Sequence, residues 1–159
     1  MSIKIVCVGK IKESYFREAE NEYRKRISRY SKIEILENTD EKTPETASEA
    51  EKEAILKKEG RRILACIKDT DYVLALAIRG TSFSSGNFSS HIDCLLTSGK
   101  SSLVFVIGGS LGLSEEVLQR SDEEISFSDF TFPHQLMRII LLEQIYRSFK
   151  IMKNEPYHK

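Results

Sequence analysis

The sequence predicts an α/β fold: one domain, residues 1–159, on a mostly parallel sheet with helices on both faces. Three observations lead there. Residues 3–8, 72–78 and 103–109 are unbroken or nearly unbroken apolar runs, as expected for strands covered on both sides. Segments with apolar residues three and four apart lie between them, and strands alternating with helices imply parallel pairing. A chain of 159 residues is also long enough to bury a core without disulfides or metals.

The elements follow in order. IKIVCV, residues 3–8, is apolar and β-branched and stops at Gly9, which predicts a buried first strand. Tyr15, Ala19, Tyr23, Ile27 and Tyr30 fall at helical spacing. Residues 33–36 alternate and predict a second strand, and ENTDEKTPETASEAE, polar and holding Pro44, reads as a surface connection. A helix rich in Ala, Glu and Lys is expected from about Ser48 to Lys68, weakened at Gly60 by about 1 kcal/mol relative to alanine.

YVLALAI, residues 72–78, is the third strand, and RGTSFSSG after it is a polar loop. Phe88, Ile92 and Leu95 share one helix face, with Gly99 near the C-cap. LVFVIGG, residues 103–109, is the fourth strand. Ser114 is a plausible N-cap, and Glu115 and Glu116 follow where the helix dipole favours acids. EISFSDFTF, residues 124–132, reads as a short strand and loop, and Pro133 suits the first position of a final helix.

Apolar content of 40% and charged content of 30% are those of an ordinary globular chain. No apolar run approaches a membrane span, and MSIKIVCVGK is too short and strand-like for a signal peptide. Cys7, Cys66 and Cys94 are odd in number and form no CxxC pair, so they read as small buried residues in a reducing, cytoplasmic compartment. His91, His134 and His158 are scattered without metal-ligand spacing, so no metal is expected. Twenty-four basic residues balance twenty-four acidic ones, which counts against a general nucleic-acid binder. The charges are uneven, however. YRKRISRYSK (residues 23–32) and KKEGRR (residues 57–62) are either a local basic patch or solvated helix faces.

Open α/β sheets bind ligands beyond the carboxyl ends of their strands. Three ends stand out: residues 77–80, 108–112 and 127–132. The middle one, with Gly108, Gly109 and Gly112, lacks the GK[ST] of a P-loop and departs from GxGxxG. It is either a tight strand-to-helix turn or a place where backbone approaches a ligand. Phe127, Phe130 and Phe132 in the last loop suit a flat apolar ligand such as adenine, or simple core packing.

FVIGGSLGL, the stretch SFSDFTFPHQLMRIILLEQIYRSFKIMKNEPYHK, and VGKIKESYFREAENEYRKRISRY near the start together resemble the RlmH family. These are SPOUT-class methyltransferases that act on a pseudouridine of 23S ribosomal RNA, and the likeness covers essentially the whole chain. The resemblance implies a SPOUT fold with a C-terminal trefoil knot. It implies S-adenosylmethionine, held at Leu76, Gly108, Phe127, Ser128, Asp129, Phe130, Thr131 and Phe132. It also implies transfer to N3 of the pseudouridine on an assembled ribosome, by a homodimer.

N3 carries a proton that must leave before or during transfer. His158 is the best candidate base, since an imidazole ordinarily titrates near 6.5, and water competes for the role. Tyr157 beside it is able to stack on a nucleobase. NEPYHK would otherwise read as a frayed end, but the Tyr-His terminus belongs to the family motif. His134 reads as a structural residue or loop anchor. Arg138 and Arg147 either meet phosphate, cap acidic neighbours or lie on a solvated face. The last helix is apolar nearly all round from Leu136 to Tyr146, which calls for cover on every side, by neighbouring helices or a second copy. The competing readings are a non-catalytic nucleotide-binding domain with the same loops, and a ribosome-associated factor without a cofactor.

Overall fold

In the computed structural model, which describes residues 1–159, five strands pair in parallel in the order β2-β1-β4-β3-β5. The strands are β1 (Ser2–Val8), β2 (Lys32–Asn38), β3 (Tyr72–Ser82), β4 (Ser102–Ile107) and β5 (Glu123–Ser126). The helices are α1 (Ser14–Ile27), α2 (Glu49–Ala65), α3 (Ser85–Thr97), α4 (Glu115–Arg120) and α5 (His134–Met152). Every expected element is present, and the sheet is parallel throughout.

Strand side chains alternate between faces, and here the two faces differ in size. Ile3 and Ile5 of β1 and Leu103, Phe105 and Ile107 of β4 point to the side where α1, α3 and α5 pack. Val6, Val8, Val104 and Val106 point to the other side, under α2 and α4. The long side chains fill a thick core beneath three helices, and the valines fill a thin one beneath two.

Helix ends match their residues. Ser48 Oγ accepts from Glu51 N–H at 3.2 Å, and Ser114 Oγ accepts from Val117 N–H at 3.3 Å. α3 ends at Gly99, whose φ of +91° lets Gly99 and Lys100 donate back to Leu96 and Leu95. Pro133 is the N-cap of α5 rather than its first residue.

Two expectations are corrected by packing. Gly60 is not merely a weak point in α2: a Cβ there would collide with the capping hydroxyl of Ser114. Glycine is what allows α2 and the start of α4 to touch. β3 also runs past residue 78. Leu76 and Thr81 both pair with Ile125, so residues 77–80 leave the ladder and return. Gly80 sits on the β5 backbone, where a Cβ would lie 2.6 Å from Glu124 and Ile125 main-chain atoms.

Candidate functional site

The three strand ends singled out above converge. The excursion of β3, the glycine turn after β4 and the loop after β5 line one cleft enclosing about 640 Å³ of empty space, part of it open to solvent. Of the eight residues expected at a cofactor, seven line it: Leu76, Gly108, Phe127, Ser128, Phe130, Thr131 and Phe132. Asp129 is exposed and does not. The lining also includes Ile78 and Gly109, inside the strand ends singled out above, and Met137, which sequence reading missed. Met137 lies in the first turn of α5, directly after the aromatic loop, and that position was its available signal.

The glycine turn is fixed by its own contacts. Gly112 N–H donates to Gly109 O at 3.1 Å, and Gly112 has a φ of +83°. A Cβ on Gly108 would lie 2.5 Å from Gly112 O, so Gly108 must be bare for the turn to close at all. The turn by itself is enough to require glycine at 108.

The aromatic loop divides its phenylalanines. Phe127 stands edge-on to Phe88 with centroids 5.7 Å apart, which anchors it to the core. Phe130 is 78% exposed, and Ile78 across the cleft is 57% exposed. Ser128 Oγ accepts from Phe130 N–H at 3.0 Å and sets the turn between them. No lining side chain carries charge, so polar recognition in the cleft falls to backbone groups and the Ser126, Ser128 and Thr131 hydroxyls.

The tail is ordered but lies elsewhere. Tyr157 donates to Glu143 Oε1 at 3.0 Å, packs edge-on to Tyr146, and carries the Arg147 guanidinium 4.7 Å from its ring centroid. Burial and the Glu143 carboxylate push its phenol up to about 12, so it stays protonated at neutral pH. Arg147 Nη1 lies 3.2 Å from His158 Nδ1. A guanidinium only donates, so Nδ1 is the acceptor and the proton of a neutral ring sits on Nε2. Arg147 is ten residues beyond Met137, about 15 Å along the helix axis. Neither Tyr157 nor His158 lines the cleft of its own chain.

Arg138 is not on a solvated face. It is fully buried and donates to Glu20 Oε2 at 2.9 Å, Glu37 Oε1 at 3.1 Å and Gly9 O at 3.1 Å. Arg17 meets the same two glutamates at 2.9 and 3.0 Å, so two cations and two anions balance. Arg147 caps an acidic neighbour, Glu143, at 2.6 Å. His134 is an anchor: its ring covers Gly9, where a Cβ would lie 2.6 Å from Cε1. Burial, then the Arg138 cation, lowers its pKa.

At the opposite edge of the sheet, Arg24, Lys25 and Lys32 line a shallow groove with Asn21, Ser28 and Ser31. None of the three cations is ion-paired, whereas Arg26 and Arg62 pair with Glu22 and Glu41. No helix is long and apolar enough to cross a membrane, and no cluster of three or more His, Cys, Asp or Glu could hold a metal.

Comparison with known proteins adds a family to this geometry. The family described as predicted SPOUT methyltransferase matches residues 1–158. Proteins named "Ribosomal RNA large subunit methyltransferase H" from Enterococcus faecalis and Lactiplantibacillus plantarum are each 58% identical over 159 residues. One from Bacillus cytotoxicus is 56% identical over the same length. In all three the alignment covers the whole of both chains.

Proposed function

Since this chain belongs to the SPOUT methyltransferase family, we propose that it methylates ribosomal RNA of the large subunit, using S-adenosylmethionine held in the three-loop cleft. The observation that carries the reading is the convergence of seven of the eight expected residues on one cleft. The relatives' name favours this over a cofactor-free ribosomal factor or a non-catalytic binding domain.

The cleft suits that cofactor. Its apolar walls suit the adenine face, and residues 76–78 and the glycine turn 108–112 bring backbone groups to its lining. When bound, S-adenosylmethionine supplies an activated methyl group. The protein must then align that group with the nucleophile, which is worth roughly 7–11 kcal/mol in well-oriented systems. We read the acceptor as N3 of a pseudouridine on an assembled particle.

The tail supplies the acid–base groups in this reading. With Nδ1 held by Arg147, His158 offers an Nε2 donor to a carbonyl or phosphate. It becomes a base only when Arg147 lets go, and water serves otherwise. One face of Tyr157 already carries Arg147, which leaves less of the ring for a nucleobase.

Cleft and tail are separated within a chain, so a second copy completes the site. The surface that suits it is apolar: Leu136, Met137, Ile139 and Ile140 of α5 remain half-exposed, beside exposed Phe130 and Ile78. A two-fold axis there sets the tail and basic groove of one subunit near the cleft of the other. The same reading includes one domain over residues 1–159, a C-terminal trefoil knot, and a cytoplasmic location.

The test is transfer from S-adenosylmethionine with a deuterated methyl group to large ribosomal subunits, followed by nucleoside mass spectrometry. A deuterated methyl on a pseudouridine is the expected product. RNA without label, from protein that binds the cofactor, would reduce the chain to a binding domain.

A further inference from the structure

Glu59 is a buried carboxyl, 4% exposed, that the transfer chemistry does not use. It lies on α2, on the thin-core side of the sheet. Its carboxylate faces the glycine turn from behind: a Cβ on Gly109 would sit 3.3 and 3.4 Å from its two oxygens. The next residue, Gly60, lies against Ser114 at the other end of the same loop. One turn of α2 thus braces the chain from Gly109 to the cap of α4.

The brace is itself held. Glu59 Oε2 accepts from Glu41 N–H at 3.0 Å. Arg62, one turn further on, donates to Glu41 Oε1 at 2.6 Å and to Thr39 O at 2.8 Å. The connection after β2 is thereby fastened to α2, and Glu59 is confined between that connection and the glycine turn. Burial, with Asp40 and Glu41 nearby and Arg62 opposing them, holds the carboxyl above its ordinary range. The carboxyl serves here as a hydrogen-bond acceptor of a given length, the two features that the brace uses.

We propose that Glu59 is a positioning residue for the cofactor cleft: from α2 it sets the 108–112 turn, and through that turn the affinity for S-adenosylmethionine. The inference rests on the cofactor reading above. Its reach is limited to the turn, since Glu59 does not line the cleft. Glutamine reproduces its length and its acceptor oxygen. Alanine removes both, and aspartate draws the carboxyl back from Gly109 and from its donor, Glu41 N–H.

The experiment is calorimetry with S-adenosylmethionine on the full chain and on Glu59→Gln, Glu59→Ala and Glu59→Asp, with hydrogen exchange of amides 109–113 in the cofactor-free proteins. Glu59→Gln should keep the parental Kd within about twofold, and Glu59→Ala and Glu59→Asp should weaken it about tenfold. Exchange at 109–113 should quicken in the same two variants. Their KM for the cofactor should rise while kcat at saturation holds. A folded Glu59→Ala or Glu59→Asp with parental Kd overturns the proposal, as does a Glu59→Gln no better than alanine. Should alanine fail to fold, aspartate decides. A wild-type chain that does not bind the cofactor overturns the cofactor reading and this proposal with it, whereas binding that is indifferent to Glu59 overturns the proposal alone.

Discussion

Arg138 on α5 and Glu20 on α1 form an ion pair at 2.9 Å with side chains 0% and 1% exposed. The pair fastens the last helix to the first beneath the end of β1, where Arg138 also holds Gly9 O. Replacing Arg138 with Met leaves Glu20 and Glu37 to Arg17 alone. Breaking a buried pair from one side costs about 3–5 kcal/mol, and the remaining Arg17 should keep the loss near the lower figure. Denaturant unfolding of Arg138→Met measures it. A loss under about 1 kcal/mol, the scale of an exposed pair, would show that the network contributes little.

Two glycines should respond in opposite directions. Gly80→Ala drives a Cβ into the β5 backbone, between two walls of the cleft. Overpacking of this kind costs about 1–3 kcal/mol. S-adenosylmethionine affinity should fall with it. Gly86, in the first turn of α3, has nothing within 4 Å of a built Cβ, so Gly86→Ala should stabilise by up to about 1 kcal/mol without touching the cofactor. Thermal melts and cofactor titrations of the two variants check both.

His134 predicts a pH dependence. Its folded pKa lies below the ordinary 6.5, from burial first and the Arg138 cation second. Between the lowered value and 6.5 the unfolded chain binds a proton that the folded chain does not. Its contribution to stability is therefore present above pH 6.5 and is lost as pH falls through that window. The difference in stability between wild type and His134→Gln, followed from about pH 7.5 to about pH 5, should shrink on acidification. A difference independent of pH would contradict the assignment.

The unpaired cations of the α1 groove, Arg24, Lys25 and Lys32, predict a salt effect. Neutralising them with Gln should weaken binding to ribosomal particles and flatten its dependence on salt, by roughly 0.7–0.9 in log–log slope for each phosphate no longer neutralised. S-adenosylmethionine affinity should not change. An unaltered slope would return these residues to an ordinary solvated face.

Much of the fold was legible because β1 and β4 are buried on both faces and announce themselves as apolar runs. Ser48, Ser114 and Gly99 act through local geometry, and local sequence predicted them. Gly60 was misjudged because helix propensity knows nothing of Ser114, fifty-four residues away. Arg138 was left open between phosphate, acidic neighbours and a solvated face, and the structure selects the acidic neighbours. Its partners Glu20 and Glu37 lie 118 and 101 residues away, so their identity was not legible, although the apolar helix around Arg138 called for cover. At the site, Gly108 and the phenylalanines were visible from the strand-end rule, and the family resemblance supplied Leu76. The place of Tyr157 and His158 was not visible, because the chain turns at Asn154, φ +54°, and runs back along α5.

Methyl transfer in this reading needs the cleft of one subunit and the tail of another, and two variants test that division. Thr131→Arg puts a long cation at an exposed position of the cleft, against a cationic cofactor, and deletion of Tyr157, His158 and Lys159 removes the tail. Alone, the first should be inactive on large ribosomal subunits and the second sharply reduced. Mixed and allowed to exchange subunits, they form heterodimers in which one cleft and one tail are intact on different chains. Methyl transfer should return to about a quarter of the parental rate, the share expected from random pairing in a two-fold dimer. A mixture no more active than its components, with heterodimers demonstrably present, would contradict the account.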